Sequence, residues 1–366
     1  MAEPRYTVEY ESHLGTYRWQ VEPGCRLSPP IQQPLMPALR VVATGGGTGL
    51  PILLQGLKAT LFPPERLWIP ARDRGRLTAI VTVADDGGSS GRLRQAYHLL
   101  PPGDIRNCLL ALSEGTPAIA DLFNFRFRGE GEVAGHCLGN LILAAFSQLE
   151  GDFLGAVERG AEILAIRGRT LPSTLDDVTL VAHFADGISV EGESRIAAVR
   201  RPIRRVALRP AGARALPQAR EAIARADLIV IGPGSLYTSL IPVLLVRELA
   251  EAVARSRARV VLVMNLMTEP GETDGYGAPE HLLAIRRHAP QVPIHDVLLN
   301  TTPIPADLIE RYAAEGAVPV PMDAESVRAL GPRPVARDLL GVGPKILHDS
   351  LKLARAVLEL ASERPS

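Results

Sequence analysis

The stretch Arg40-Val-Val-Ala-Thr-Gly-Gly-Gly-Thr-Gly-Leu-Pro51 decides the fold of this 366-residue chain. Its apolar run at 41–43 predicts a buried strand, and the apolar spacing that begins at Leu50 predicts a helix. The loop between them is almost entirely glycine, which allows a ligand to approach the main chain closely. Because backbone N–H groups at a helix N-terminus attract anions, the stretch favours a phosphate-binding turn.

Neither of the two common phosphate-binding patterns is present in this loop. In the dinucleotide pattern G-x-G-x-x-G, counted from Gly45, the last position is occupied by Leu50. A P-loop requires a lysine directly after its final glycine, and Lys58 lies too far along the helix. Two interpretations therefore stay open, a phosphate site and a tight strand-to-helix connection without a ligand.

Strands and helices alternate along the rest of the chain. Apolar runs predict strands at 77–84, 228–231, 260–264 and 297–299. Helical periodicity is found at 104–113, 139–149, 152–166, 240–254, 279–288, up to Tyr312, and 344–360. Residues 178–191 predict a β-hairpin that turns at Asp186-Gly187. The pattern predicts a Rossmann-like α/β fold, with a three-layer, doubly wound, mostly parallel sheet, a helical insertion and a β-hairpin.

The first 38 residues differ from the rest of the chain in composition. They are rich in proline and have no sustained periodicity, although Tyr6, Val8 and Tyr10 alternate as in a short strand. We expect a poorly ordered N-terminal extension over residues 1–38. The main domain is predicted over residues 39–362.

Composition and charge favour a cytoplasmic protein. The formal net charge is zero and aromatic residues make up only 4%, so binding to nucleic acid is not expected. Cys25, Cys108 and Cys137 are odd in number and far apart, which is typical of a reducing compartment. No apolar run is long enough to span a bilayer, and charged residues occupy the place of a signal peptide's apolar region. We expect no membrane insertion.

The second strand end carries adjacent carboxylates in the loop 84–92. Asp85 and Asp86 suit a divalent cation such as Mg²⁺, or the hydroxyls of a ribose or another sugar. Ser89 and Ser90 add hydroxyl groups. The alternative is a solvated turn, since Asp-Gly and Ser-Gly are common in turns.

Two further strand ends carry polar loops. In the loop 232–239, Gly234 and Ser235 suit a second phosphate-binding turn, and the alternative is a rigid connection in which Ser235 caps a helix. In the loop 265–276, Asn265 and Thr268 suit a base edge or a sugar, and Tyr276 suits stacking on a base. The alternative for this loop is a mobile surface segment.

Polar residues also lie at the starts of two helices of the insertion. Asn107 and Asn140 would be costly in an apolar core without hydrogen-bond partners, so they cap neighbouring loops or contact a ligand. His136 stands in a glycine-rich segment, but a lone histidine is more often a core residue than a base. No Ser/His/Asp arrangement and no zinc spacing can be read from the sequence. We therefore assign no catalytic residue.

The predicted ligand-binding residues come from these strand ends and helix starts. They are Gly45, Gly46, Gly47, Thr48, Gly49, Asp85, Asp86, Ser89, Ser90, Asn107, Asn140, Gly234, Ser235, Asn265, Thr268, Thr273 and Tyr276.

Six of these segments occur in the order found in one protein family. They are 45–50 (Gly-Gly-Gly-Thr-Gly-Leu), 84–92 (Ala-Asp-Asp-Gly-Gly-Ser-Ser-Gly-Arg), 102–107 (Pro-Gly-Asp-Ile-Arg-Asn), 135–141 (Gly-His-Cys-Leu-Gly-Asn-Leu), 231–239 (Ile-Gly-Pro-Gly-Ser-Leu-Tyr-Thr-Ser) and 271–276 (Gly-Glu-Thr-Asp-Gly-Tyr). Over residues 40–360 the chain resembles the YvcK/CofD-like family, and within it the YvcK branch, the gluconeogenesis factors. Six motifs in sequence are far more specific than one glycine loop.

The resemblance implies a Rossmann-like core and leaves three functions open. The YvcK branch implies a regulatory protein that binds UDP-N-acetylglucosamine or another nucleoside diphosphate ligand, linked to gluconeogenic growth and to control of cell shape and envelope. The CofD branch implies a 2-phospho-L-lactate transferase that acts on a nucleoside-diphosphate-activated substrate with magnesium, held by Asp85 or Asp86. The third function is a scaffold with a vestigial pocket. A homodimer is compatible with all three.

Overall fold

The computed structural model describes residues 6–12, 15–21, 39–62 and 71–363. The chain divides into two units, residues 1–38 and 39–366. In the first unit, strands β1 (Tyr6–Ser12) and β2 (Gly15–Val21) form an antiparallel pair. This confirms the strand that was predicted at Tyr6 to Tyr10. The predicted poor order of the other residues up to position 38 falls outside the described residues.

The second unit contains the remaining strands and all of the helices described here. Its strands are β3 (Val41–Gly45), β4 (Leu77–Val81), β5 (Arg169–Pro172), β6 (Thr179–Phe184), β7 (Ser189–Glu191), β8 (Ile203–Arg209), β9 (Leu228–Ile231), β10 (Arg259–Val263), β11 (Asp296–Asn300) and β12 (Arg333–Arg337). Its helices are α1 (Gly49–Leu61), α2 (Gly88–Tyr97), α3 (Gly103–Leu112), α4 (Pro117–Asn124), α5 (Leu138–Glu150), α6 (Phe153–Ile163), α7 (Glu193–Ile196), α8 (Pro217–Ala224), α9 (Ile241–Leu245), α10 (Arg247–Arg255), α11 (Ala278–His288), α12 (Ala306–Ala313), α13 (Ala324–Ala329) and α14 (Ser350–Ser362). Short 3₁₀ turns cover Ala71–Arg76 and Ala197–Val199, and a π-helical turn covers Leu236–Leu240.

Seven parallel strands form the main sheet in the order β12-β11-β10-β9-β3-β4-β5. The chain starts at β3, runs outward to β5, returns to β9 and runs outward again to β12. This is the doubly wound order, and the direction of winding reverses between β3 and β9. The predicted Rossmann-like fold is confirmed, and such sheets bind ligands in the crevice at that reversal.

The predicted helical insertion and hairpin are also confirmed. Helices α2 to α6 lie between β4 and β5, and β6 and β7 pair antiparallel around the turn at 185–188. A third strand, β8, pairs with β6 on the other side. The sequence prediction missed β8 because arginines separate its buried residues Ile203, Val206 and Leu208.

Three predicted boundaries are wrong. The helix predicted at 240–254 is broken at Val246, after a π-helical turn and a short α9 that contains Pro242; proline removes one helical N–H donor. The last helix starts at Ser350 and not at residue 344, because the Asp349 carboxylate accepts the N–H groups of Leu351 and Lys352. The predicted loop 84–92 ends early, since α2 already begins at Gly88.

Helices α1 and α14 pack directly against each other on one face of the sheet. A β-carbon built on Gly56 of α1 would lie 1.8 Å from the carbonyl oxygen of Ser350, the first residue of α14. Glycine at this position therefore allows the two backbones to touch. This contact ties the helix after β3 to the C-terminal helix.

An ion cluster ties three strands together at the opposite edge of the sheet from the strand ends discussed below. Asp296, fully buried at the start of β11, accepts hydrogen bonds from Arg259 of β10 (2.5 and 3.0 Å) and from Arg333 of β12 (2.7 Å). Burial alone would raise the pKa of Asp296, but the two guanidinium groups lower it below its usual value. None of the helices in the described ranges is long and apolar enough to cross a membrane.

Candidate functional site

Two glycine turns meet where the sheet reverses its winding. The first glycine turn (residues 45–49) follows β3, and the second glycine turn (residues 232–235) follows the neighbouring strand β9. A β-carbon built on Gly49 would lie 2.5 Å from the carbonyl oxygen of Pro233, so the two turns are in contact. Glycine is required at Gly49 because another side chain would separate them.

Both turns lead into helical segments whose first N–H groups are not capped by the preceding side chain. Thr48 makes no capping hydrogen bond to α1, and Ser235 makes none to the π-helical turn. The first N–H groups of a helix have no partner within the helix, and they carry the positive end of its dipole. The two segments are therefore suited to bind an anion.

A cavity of about 550 Å³ opens beside these two turns. Its lining combines the two turns with the loop after β10 and with segments near the C-terminus. The lining residues are Thr48, Gly49, Ile52, Arg200, Pro233, Gly234, Ser235, Asn265, Leu266, Met267, Thr268, Glu269, Pro270, Tyr312, Glu315, Ala317, Ile346, Leu347 and His348. Three of the four predicted strand-end loops thus share one cavity, and the fourth, 84–92, does not line it.

Arg200 and His348 line the cavity but were not identified from the sequence. Arg200 is exposed, follows the 3₁₀ turn Ala197–Val199 and supplies a positive charge. His348 is buried, which lowers its pKa to about 4 and keeps the ring neutral at pH 7. Its Nε2 has no hydrogen-bond partner among the described residues. Only the tertiary fold brings these two residues to the cavity, and no local sequence pattern marks them.

Asn265 and Thr268 have their polar atoms engaged within the protein. The Asn265 side chain accepts a hydrogen bond from the N–H of Gly234 (3.2 Å) and donates one to the carbonyl of Gly234 (2.9 Å). The Thr268 hydroxyl accepts from the N–H of Val318 (3.0 Å). Both residues therefore fix the walls of the cavity, and a direct ligand contact for them stays a prediction.

Thr273 and Tyr276 lie behind the cavity wall and do not line the cavity. The buried Thr273 hydroxyl accepts the N–H of Glu269 (2.8 Å). The hydroxyl groups of Tyr276 and Tyr237 are hydrogen-bonded at 2.8 Å, and their rings meet edge to face. These contacts hold the loop 265–276 against the second glycine turn. Stacking of Tyr276 on a base stays a prediction.

A buried carboxylate occupies the segment that follows the second glycine turn. Glu272 accepts hydrogen bonds from the backbone N–H of Tyr237 (3.3 Å) and the hydroxyl of Thr238 (2.9 Å). Burial, followed by the nearby charge of Glu269, raises the pKa of Glu272 to about 8. Part of this anion-binding helical start is therefore filled by the protein's own side chain.

A second carboxylate contacts the first glycine turn. Asp104, near the start of α3, accepts the N–H of Gly47 at 2.8 Å. A β-carbon on Gly46 would lie 2.5 Å from the same carboxylate oxygen. Burial, followed by repulsion from Asp85, raises the pKa of Asp104 to about 6. The sequence had marked Asp104 only as the acidic start of a helix.

Asp85 and Asp86 do not face a common point. Asp85 accepts the N–H of Gly87 (2.8 Å) and the hydroxyl of Ser90, whereas Asp86 accepts the N–H of Ser194 (2.8 Å). Among the described residues, no three His, Cys, Asp or Glu side chains come together as a metal site would require. A magnesium ion at Asp85 and Asp86 therefore stays a prediction from the sequence.

Ser89, Asn107 and Asn140 belong to a polar network that joins α2, α3 and α5. The Ser89 hydroxyl contacts His136 Nδ1 (3.0 Å) and accepts a hydrogen bond from Asn140 Nδ2 (3.2 Å). Arg106 donates to the side-chain oxygens of Asn140 (3.0 Å) and Asn107 (2.6 Å). Asn140 thus bonds to neighbouring helices, which is one of the two sequence interpretations, whereas Asn107 bonds to the preceding residue of its own helix. A ligand contact for either asparagine stays a prediction.

Ser90 has a similar connecting role. Its hydroxyl accepts the N–H of Gly103 (3.1 Å), so it links the start of α2 to the start of α3. It also hydrogen-bonds to Asp85. Since α3 carries Asp104, this link holds the carboxylate that contacts the first glycine turn.

The chain matches known proteins over nearly the whole second unit. Residues 41–340 match the family described as 2-phospho-L-lactate transferase CofD. A protein of Bacillus subtilis named gluconeogenesis factor is 42% identical over 325 residues, which are 88% of this chain and 98% of that protein. A protein of the same name from Listeria innocua is 42% identical over 322 residues, 88% of this chain and 95% of the relative.

A solved structure supports the same relationship. The crystal structure of a Bacillus halodurans protein superposes with a TM-score of 0.82 at 42% sequence identity. The match covers 87% of this chain and 99% of that one.

Proposed function

The chain belongs to the CofD family, and we propose that it is a regulatory protein of the gluconeogenesis-factor type that binds a nucleotide sugar such as UDP-N-acetylglucosamine. The family match supports a ligand that contains a nucleoside diphosphate. The names of its relatives support a link to gluconeogenic growth. A cytoplasmic location and an effect on cell shape and envelope are parts of the same proposal.

One observation carries this proposal: two helical starts that their own N-cap side chains, Thr48 and Ser235, do not cap follow two touching glycine turns and line the same cavity. A diphosphate group has two charged units, and two such segments side by side are suited to hold both. Arg200, at the cavity wall, adds a full positive charge. The remaining volume is suited to the sugar or the base.

The main experiment is calorimetric titration of the full chain with UDP-N-acetylglucosamine, GDP and NAD. We expect heat with the UDP-sugar and weaker or no heat with the other two ligands. The absence of heat with every UDP-sugar tried would contradict the proposal.

A variant pair tests the position of the diphosphate. Thr48→Asp places a carboxylate at the start of α1, where aspartate is a good helix cap, so the fold should be kept while the anion is repelled. We expect affinity for the UDP-sugar to fall more than tenfold. Thr116→Asp is the matched control, because Thr116 is also an exposed N-cap threonine, of helix α4, and does not line the cavity. Equal loss in both variants would contradict the assignment.

A second candidate function is transfer of a phospholactate group from a nucleoside-diphosphate-activated donor. The observation that favours it is a set of acids with raised pKa values near the first glycine turn. Burial raises the pKa of Glu193 to about 7, that of Asp104 to about 6, and that of Asp85 above its usual value. Acids that exchange protons near neutral pH suit acid–base chemistry.

The test of this candidate is turnover of the activated phospholactate with a deazaflavin acceptor, in buffer that contains magnesium. If the chain is a transferase, Asp85→Asn should abolish turnover while the donor still binds. In a purely regulatory protein, no turnover occurs with either form, and Asp85→Asn changes only the affinity.

A further inference from the structure

The stretch between Glu193 and Glu221 contains eight arginines and no acidic residue. Three of these arginines, Arg201, Arg209 and Arg220, form ion pairs with carboxylates from other parts of the chain. Because the whole chain has 40 basic and 40 acidic residues, such a stretch concentrates positive charge in one region of the molecule. Strand β8 lies within it.

Strand β8 exposes two consecutive arginines because its pairing with β6 is interrupted. His183 of β6 pairs with Arg205, whereas the next residue, Phe184, pairs with Ile203, so Arg204 has no partner on β6. A regular strand sends neighbouring side chains to opposite faces, but a bulge of this kind redirects one of them. Arg204 and Arg205 are therefore both exposed.

The last turn of α11 lies directly beside this part of β8. The Arg287 guanidinium donates a hydrogen bond to the carbonyl of Arg204 (3.3 Å), and the N–H of Val206 donates one to His288 Nε2 (2.9 Å). Burial lowers the pKa of His288, and the charges of Arg205 and Arg287 lower it further. The arginines of the strand and of the helix therefore share one surface.

We define the arginine surface by Arg204, Arg205, Arg286 and Arg287. None of the four forms an ion pair with a carboxylate in the part of the chain that the structure describes. Arg287 is exposed and Arg286 is partly exposed. Leu283, one turn earlier on α11, is 42% exposed although it is a large apolar side chain. The surface thus combines four positive charges with one apolar contact.

The arginine surface is held in place from behind by His288. Because its Nε2 accepts the N–H of Val206, the neutral ring carries its proton on Nδ1, which donates to the carbonyl of Ala284 (2.7 Å). The same ring packs edge to face against the buried Tyr237, in the helical segment after the second glycine turn. A preformed surface loses little conformational entropy when it binds a partner.

We propose that the arginine surface binds an acidic peptide segment of a partner protein, in which glutamate or aspartate residues flank an apolar side chain. A guanidinium group binds a carboxylate through two parallel hydrogen bonds, and clusters of arginines recognise acidic motifs in this way. Leu283 contacts the apolar residue between the carboxylates. This proposal does not depend on the identity of the ligand in the cavity.

Two other anionic partners fit the arginine surface less well. Proteins that hold single-stranded nucleic acid combine positive charge with aromatic side chains on which the bases stack, and the residues that define this surface include no aromatic one. Stable attachment to an anionic membrane requires a second signal besides a few basic residues, such as a lipid chain or an inserted apolar face. Leu283 alone does not provide such a face.

The first experiment measures the binding of a fluorescent peptide to the full chain by fluorescence anisotropy. The peptide is a run of glutamates with one central leucine, and the same peptide with glutamine in place of glutamate is its control. We expect the glutamate peptide to bind at least tenfold more tightly than the glutamine peptide. Its affinity should fall at least fivefold between about 50 and 300 mM NaCl, because salt screens exposed charges.

The second experiment reverses charges on the arginine surface. The double variant Arg204→Glu with Arg205→Glu should bind the glutamate peptide at least tenfold more weakly, and it should bind a lysine version of the peptide more tightly than the parent does. Arg257→Glu with Arg355→Glu is the matched control, because both arginines are exposed and lie outside the arginine surface. This control changes the net charge equally and should bind the glutamate peptide within threefold of the parent. Circular dichroism and thermal denaturation check that both variants fold.

A third measurement tests the apolar contact. Leu283→Ser should lower the affinity for the glutamate peptide about threefold. It should leave the affinity unchanged for a peptide whose central leucine is replaced by serine, since that peptide has no apolar side chain to place on Leu283. Equal losses with both peptides would contradict the contact with Leu283.

Two results would overturn the proposal outright. They are a glutamate peptide that binds no more tightly than the glutamine peptide, and equal losses of affinity in the charge-reversed variant and its control. A parent chain that binds a thymidine oligonucleotide but not the glutamate peptide would assign the arginine surface to nucleic acid instead. Cosedimentation with phosphatidylglycerol vesicles, again without peptide binding, would assign it to lipid.

Discussion

The two glycine turns have the same sequence plan but are completed in different ways. Each follows a buried strand, each leads into a helical segment without a side-chain cap, and a carboxylate from another part of the chain contacts each region. At the first turn that carboxylate is Asp104, on the helical insertion. At the second it is Glu272, in the loop after β10.

The two carboxylates differ in how firmly they are held. Glu272 is buried and accepts hydrogen bonds from the backbone N–H of Tyr237 and the hydroxyl of Thr238. The hydroxyl groups of Tyr237 and Tyr276 are hydrogen-bonded to each other. Asp104 is mostly buried and contacts the backbone at Gly47, beside Asp85. The pKa of Glu272 is raised to about 8 and that of Asp104 to about 6, so the two lose their protons in separate pH ranges.

The difference shows that a glycine turn before a helix does not reveal what the helix start will bind. Such a site attracts any anion, and a carboxylate of the same chain competes with a phosphate of a ligand. At the first turn, Thr48 and Gly49 remain on the cavity beside the Gly47–Asp104 contact. At the second, Gly234 and Ser235 face the cavity while Glu272 binds deeper, at Tyr237.

The largest effect is expected where the two turns touch. In Gly49→Ala the new methyl group would lie 2.5 Å from the carbonyl oxygen of Pro233, so one turn must move. Forcing an atom against backbone in a packed region should lower the free energy of unfolding by about 3 kcal/mol. Thermal denaturation measures this change, and UDP-sugar affinity should fall with it.

Gly212→Ala is the control for this substitution. A β-carbon on Gly212 meets no atom within 4 Å. The free energy of unfolding of Gly212→Ala should therefore stay close to that of the parent. If Gly49→Ala were equally harmless, the two turns would not be in contact in solution.

The next effect concerns the pH dependence of stability. The folded chain binds the Glu272 proton more tightly than the unfolded chain, so this group's contribution is lost as the pH rises from about 4.5 towards 8. Between pH 7 and pH 8 we expect a loss of about 1 kcal/mol. Urea unfolding at both pH values should show this loss in the parent and a much smaller loss in Glu272→Gln.

Glu251→Gln serves as its control, because the pKa of the partly exposed Glu251 lies below its usual value, far from this pH range. An unchanged slope in Glu272→Gln would mean that this carboxyl group does not exchange its proton between pH 7 and pH 8, so that its pKa does not lie in this range.

A smaller effect is expected at the first turn, in the binding of the ligand. A diphosphate next to Asp104 would raise the pKa of this carboxyl further, so binding takes up a proton and affinity decreases above about pH 6. Calorimetry with UDP-N-acetylglucosamine should show about a threefold to tenfold decrease from pH 6 to pH 8. In Asp104→Asn, which keeps an acceptor for the N–H of Gly47, the affinity should be nearly independent of pH. A pH dependence that this variant retains would contradict the assignment to Asp104.

The smallest effect is expected at Tyr276. Tyr276→Phe removes the hydrogen bond to Tyr237 but keeps the ring, so stability should fall by about 1 kcal/mol. UDP-sugar affinity should change less than twofold if the ring lies behind the wall of the cavity. A large loss of affinity without a loss of stability would mean that the hydroxyl contacts the ligand.

The sequence was sufficient for the centre of the main sheet because strands β3, β4, β9, β10 and β11 and the two glycine turns are encoded locally. The run before Gly45 and the run before Gly232 identify neighbouring strands once the doubly wound order is assumed. The sequence was not sufficient to predict which side chains contact the two glycine turns. Nothing at Asp104 or Glu272 indicates which backbone N–H they accept, and Arg200 reaches the cavity only through packing of the turn that precedes it.

Tyr276 and Thr273 show a second limit of prediction from the sequence. Their position in a polar loop after a strand favoured ligand contacts, and in the structure both hydroxyls are engaged within the protein. A polar side chain near a site is used either for the ligand or for the loop that shapes it. Spacing alone does not separate these two uses, because both require the same residue types.

The backbone contact between Gly56 and Ser350 restricts how a ligand can enter. The start of α14 moves with α1, and the preceding segment is closed by hydrogen bonds from Asp349 to Leu339 (2.8 Å) and from Gly341 to Leu347 (2.9 Å). The side of the cavity that carries His348 therefore cannot swing open as an independent gate. Arg200 and Glu269 also line the cavity and take no part in this contact, so we expect any opening of the cavity to occur on their side and not at His348.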